Sequence, residues 1–335
     1  MIVGLQRLNY PPSLAFKLSA THLSILALLL AQLAIAIGVF CIKISVQEMG
    51  SVSTIFNRCL FAGLIFWLWH QTERSGAEAS HHPTDDNLAI ETQPKKADPA
   101  ACPSRQVIGL FLVAGMTWVV CLVLWATSLQ YTNLANSTLM HDLSPLFATF
   151  LGWAFLKHHF SQRFLLAVGI TLVGVVTIGF EDLQISLSHL LGDGLALLSA
   201  ILLAVYCLLV GQLRSHFSST TILQWVCLSG SISLIPLLFW GSGVFWPTTM
   251  AGWLAIAGVV CFCQVIGQGL TAYSLKAVSS ELASLFFPLE AVFVGLLAWV
   301  ALGEQLSSLN CLGFGLVLGG IYMALLSPAG VEAGE

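Results

Sequence analysis

Three charged side chains stand deep inside apolar runs of the sequence: Arg58, Asp142 and Glu290. Placing one such group at the centre of a membrane helix costs about 2.5–3.5 kcal/mol, and four or more leucine-like residues at about −0.3 to −0.6 kcal/mol each are needed to offset it. Each therefore calls for a reason. Arg58 and Asp142 lie about eight residues from the ends of their runs, roughly 12 Å below one boundary at about 1.5 Å per residue. They could form a static ion pair locking two helices or share a water-filled cavity. Asn57 offers Asp142 a competing hydrogen-bond partner. Glu290 falls near the middle of its run, with no base of the second half at that depth. A carboxyl so placed could bind substrate and proton alternately. A protonated Glu bonded across helices is the structural alternative.

Uncharged polar groups add to this set. Gln264 and Gln268 are four residues apart and share a helix face. With Tyr206 and Tyr273 they could coordinate a polar solute, or simply bond between helices, where such contacts average about 0.6 kcal/mol. His141 adjoins Asp142, but neighbours along a helix do not face each other. Asp142 is the better cavity candidate, and His141 reads as packed or interfacial. Pro145 and Pro288 sit inside runs, where each removes a backbone hydrogen bond and permits a kink. They are hinge candidates, or kinks that merely shape the bundle.

The elements that must position these groups follow from composition. Of 335 residues, 57% are hydrophobic and 8% charged, against about 25% charged in an ordinary soluble domain. Ten runs are long enough to cross about 30 Å of hydrocarbon: 22–43, 51–69, 107–128, 134–156, 163–180, 193–213, 220–240, 251–273, 281–302 and 309–327. They are continuous rather than alternating, which argues for helices over a β-barrel. These are spans one to ten below. The first reads as an uncleaved signal-anchor. Segment 70–105, charged and proline-bearing, reads as a disordered cytoplasmic loop. Ten Lys and Arg fall on one side if the N-terminus is cytoplasmic, and Lys43 alone on the other, so both termini are expected inside.

The chain repeats itself. A shift of 146 residues matches 126–174 to 272–320 with 14 identities in 49 positions, including Trp153 with Trp299, Ser161 with Ser307 and Gly174 with Gly320. Ala36 meets Ala204, and Cys59 meets Cys227, at a shift of 168. The expected fold is an all-α integral membrane protein, with ten transmembrane helices in two inverted five-helix repeats. The repeats occupy 22–181 and 192–327, flanked by cytoplasmic segments 1–21 and 328–335. An odd number of spans per half sends the second half in from the opposite side, an arrangement typical of secondary transporters.

At this point the sequence resembles the EamA-like ten-helix members of the drug/metabolite transporter superfamily. Arg58 with Phe61-Ala62 is similar to the family's Arg-containing second helix. Tyr131-Thr132, Ser144-Pro145-Leu146-Phe147 and Gly152-Trp153 resemble its fourth. Glu290-Ala291-Val292-Phe293 and Leu302-Gly303-Glu304 resemble its Glu-Pro-Val-Phe and Leu-Gly-Glu pattern, with Ala291 replacing the proline and Lys157-His158 departing from Gly-Glu. The resemblance implies a small-metabolite carrier, often an exporter.

The functional expectation is a secondary active carrier working by alternating access in a plasma membrane of the bacterial inner type. Proton coupling would run through Glu290. A zwitterion such as an amino acid would suit Arg58 for its carboxylate and Asp142 with Glu290 for its amine. No cofactor, metal site or nucleic-acid partner is expected; the partners are a small solute and the lipid bilayer, with a homodimer left open. The alternatives are an intramembrane enzyme, for which no H-E-x-x-H or G-x-S-x-G motif is found, and a channel, which would need matched polar rings that Arg58 and Asp142 lack in the other half.

Overall fold

The computed structural model describes residues 12–80, 105–132, 134–179, 190–240, 244–302 and 306–327. Every regular element among them is helical. Long apolar runs leave the backbone no partner but itself in lipid, and the helix satisfies it. Nine described stretches are long and apolar enough to cross a bilayer. The first, Ala20–Thr72, holds two spans, because its helix breaks at Gly50 with φ 78° and ψ 170°, a region essentially reserved for glycine. The ten expected spans are thus accounted for.

Four features depart from continuous helices. The first helix continues to Ser80, so residues 70–80 are helical rather than part of the loop expected from 70. Residues 81–104 lie outside the described set. Span four is divided into Leu134–His141 and Ser144–Leu156, with Asp142 and Leu143 in the turn. Span nine is divided into Ser280–Ser284 and Leu289–Leu302. Span eight is helical over Met250–Gly258, a π-helix over Val259–Gln268 and α-helical again over Gly269–Ser274.

The two breaks are equivalent: under the 146-residue shift, Asp142 and Leu143 fall on Pro288 and Leu289. Proline fixes one end of each. Pro145 stands at the start of the second piece of span four, and Pro288 ends the turn before Leu289, each where its missing N–H leaves no helix bond unmade.

The halves interlock. Span five packs along span ten, span three against span six, and the first helix against span eight. The last two pairings exchange under the repeat. Spans five and ten meet through glycine: a Cβ on Gly174, Gly313 or Gly320 would meet the facing backbone. The contacts also fix direction. Glu48 bonds to Thr248 and Thr249, and Thr132 to Asp193, at one end of the bundle. His158 bonds to Glu281, and Ser161 to Ser327, at the other. Span one therefore runs toward the end from which span six departs, as inverted halves require.

Candidate functional site

Arg58 is 3% exposed, in the middle of span two. Its Nε donates to Gln264 Oε1 at 2.7 Å. Its guanidinium carbon lies 5.5 Å from the centroid of the Trp118 indole in span three, within the range of a cation–π attraction. Trp118 stacks in turn on Tyr206 of span six, centroids 4.5 Å apart. Gln264 Nε2 donates to Cys227 Sγ of span seven at 3.5 Å. The arginine thus joins spans from both halves.

Gln264 reaches it from the π-helical part of span eight. An i→i+5 ladder is rare and occurs mostly at functional sites. Here the wall of span eight meets span one so closely that a Cβ on Gly267 would press on Ile35, and one on Gly38 on Cys263. Gln264 and Gln268 are both buried, as their shared face led one to expect.

Asp142 and Glu290 come from the two broken spans. Asp142 is buried in the turn of span four, and Glu290 opens the second piece of span nine, half-buried. Asp142 lies within electrostatic reach of Glu290, and Glu290 within reach of Arg58. Glu290 is therefore the charge within reach of both others. No ion pair joins Arg58 to Asp142; Glu281 meets His158 Nδ1 at 2.7 Å at the end of span four. Gln264 takes the Nε–H alone of the five guanidinium N–H groups. Asn57 is not the partner of Asp142 either, since its Nδ2 donates to Ser53 O at 2.8 Å and to Phe245 O at 2.7 Å.

Several polar atoms beside Arg58 are buried and unpartnered: Trp118 Nε1, the hydroxyl of Tyr206, whose ring stacks on Trp118, and Asn57 Oδ1. Buried polar groups ordinarily find partners, and each exception asks for an explanation such as a solute or water. Together with Arg58 as a fixed cation and two carboxylates, they can present donors and acceptors to a small polar molecule.

Tyr273 stands apart. It is 42% exposed. His141 joins spans four and six instead of facing the charges: its Nδ1 is 2.7 Å from Ser199 Oγ.

Sequence reasoning missed three residues. Trp118 sits at the centre of span three, whereas interfacial tryptophans sit at span ends; that position was its signal. Glu281, 1% exposed, pairs with His158 at 2.7 Å, and a Cβ on Gly152 would collide with it. Glu48 lies between spans one and two. Its carboxylate accepts from Thr248 N at 2.7 Å, Thr248 Oγ1 at 3.0 Å, Thr249 N at 2.9 Å and Thr249 Oγ1 at 2.8 Å. Thr249 also caps span eight through Gly252 N. These bonds hold the Glu48 carboxyl down at about 2.

Comparison with known proteins matches this architecture. The EamA-like transporter family matches the chain twice, over residues 22–180 and 190–326. An uncharacterized transporter of Archaeoglobus fulgidus is 24% identical over 316 residues, covering 91% of this chain and 97% of that one. The uncharacterized transporter YyaM of Bacillus subtilis is 25% identical over 223 residues, covering 65% of this chain and 71% of its own. A protein of known crystal structure superposes with a TM-score of 0.69 at 15% identity, over 92% of this chain and 96% of that one, which speaks to the fold.

Proposed function

The chain belongs to the EamA-like transporter family, and from that premise we propose that this membrane transporter is a secondary carrier that exports a small zwitterionic metabolite by alternating access, with Glu290 as the proton-coupling group. The observation that carries the reading is the pair of equivalent helix breaks. Discontinuous helices near the midplane are where carriers of inverted repeats hold their solutes. Here one break contains Asp142, and the other is followed at once by Glu290.

The chemistry is complementary. Arg58, fixed by Gln264 and Trp118, offers charge to a carboxylate. Asp142 and Glu290 offer it to an amine. With no solute bound, two nearby carboxylates favour sharing a proton, and an arriving amine displaces it. That exchange couples proton and solute without a further cofactor. In this reading both termini are cytoplasmic, which the excess of Lys and Arg on that side supports, and the membrane is a plasma membrane of the bacterial inner type.

The test is flux in proteoliposomes against a panel of amino acids, amines and carboxylates at two pH gradients. A zwitterion should move faster with an opposing proton gradient, and Glu290→Gln should remove that acceleration. A Glu290→Gln protein that keeps its full pH dependence would overturn the coupling. Saturable flux without counterflow would overturn the carrier.

A further inference from the structure

A groove of about 570 Å³ runs along the outer surface of spans five and ten. Its walls include Leu166, Gly169, Ile170 and Val173 of span five and Leu316 of span ten, with Gln162 at its mouth. The same two helices pack against each other through Gly174, Gly313 and Gly320. Its floor dips at Gly169, where an added Cβ would meet nothing within 4 Å.

The groove has a length and a polarity. Gln162 to Val173 is eleven residues, about 16 Å of helix at about 1.5 Å per residue. That is half of the roughly 30 Å hydrocarbon core, or one leaflet. Beyond the mouth the walls are apolar. At the mouth the charge is positive. Arg163 is exposed and lies on the helix face of Leu166 and Ile170 by its three- and seven-residue spacing. Lys157 and His159 are exposed just before it. Glu281, the acid that packs at the end of span four, is buried and bonded to His158.

We propose that this groove is a binding site for one acyl chain of an anionic phospholipid, whose phosphate lies against Arg163. An apolar slot one leaflet deep fits a single chain. A basic rim at the leaflet boundary selects an anionic headgroup, the recognition expected of basic pockets between cytoplasmic helix ends. The inference rests on the orientation proposed above, with Arg163 on the cytoplasmic side. It places a lipid on the helix pair that joins the two halves, away from Arg58, Asp142 and Glu290.

The experiment is native mass spectrometry of the full-length protein with equimolar phosphatidylglycerol and phosphatidylcholine of identical chains. The wild type should retain one phosphatidylglycerol with about fivefold preference, the scale expected of one basic contact. Arg163→Gln should bring the preference to near unity while a lipid is still retained. Gly169→Leu should lose both lipids yet unfold at an unchanged temperature, because its side chain enters open space. Equal retention of the two lipids by the wild type would overturn the proposal. So would unchanged retention by Gly169→Leu, and a Gly169→Leu protein that alters only the monomer–dimer balance would assign the groove to a second copy. None of these readouts needs transport, so loss of flux and loss of lipid are separate results.

Discussion

Arg58 gives its Nε–H to Gln264 Oε1 across the seam between the two halves, at 2.7 Å. The bond turns a side chain that is costly to bury into a fixed point of the interior, with its guanidinium over Trp118. Interhelical bonds in membranes average about 0.6 kcal/mol, whereas a charged donor raises the figure to about 1.5–3 kcal/mol. We expect Gln264→Leu to destabilise the protein by the larger amount, because Arg58 is left short of an acceptor. In an Arg58→Met background the same change should cost far less. Unfolding of the four proteins in detergent measures the coupling; equal costs in both backgrounds would dissolve the pair.

Tyr206 separates stability from binding. Its hydroxyl has no partner, so Tyr206→Phe breaks no bond within the protein, and its unfolding temperature should hold or rise. If that hydroxyl meets the solute, apparent affinity falls by about two- to tenfold, one hydrogen bond of about 0.5–1.5 kcal/mol. Binding measured alongside unfolding gives both numbers; unchanged affinity would remove Tyr206 from the site.

Two glycines of the same region of the chain should behave oppositely. Gly152→Ala drives a methyl into Glu281 beside its bond to His158, and overpacking of this kind costs about 1–3 kcal/mol. Gly169→Ala meets open space and should be neutral or stabilising, since alanine favours helix over glycine by up to about 1 kcal/mol. Thermal unfolding of both variants decides it, and equal losses would contradict the packing described.

Glu48 makes a pH prediction. Its carboxyl lies between spans one and two and is held at about 2, against an ordinary 4.5, by the Thr248 and Thr249 donors. A depressed carboxyl contributes stability that is complete above its unfolded value and is lost as pH falls through the folded one. The difference in unfolding temperature between wild type and Glu48→Ala should therefore be constant above about pH 5 and shrink toward pH 2. A difference that is flat across that window would place Glu48 outside the cap.

Much of this was legible in the sequence because membranes penalise exceptions. Apolar runs marked the spans, and paired Trp and Gly marked the repeat. Arg58, Asp142, Gln264 and Glu290 stood out against apolar neighbours; the first three are buried and Glu290 half-buried. Pro145 and Pro288 marked the two breaks. Partners were not legible. Arg58 and Gln264 are 206 residues apart, and which helix faces which follows from packing that one run does not encode. The π-helix of span eight left no trace in its composition. The exposure of Tyr273 was not legible, because the π-helix before it changes which residues of span eight share a face. Glu281 looked like an ordinary span boundary, because its burial depends on Gly152 from the other half.

The central claim is that two antiparallel halves enclose the solute site. Lys157 and Ser308 are exposed and stand at corresponding turns of the two repeats, so they should lie on opposite faces of the membrane. A cysteine introduced at each position in turn, with all nine native cysteines replaced by serine, can be challenged with a membrane-impermeant maleimide in intact cells. We expect Ser308→Cys to be labelled from outside and Lys157→Cys only after the membrane is opened. Labelling of both from the same side would contradict the inverted halves and the carrier built on them.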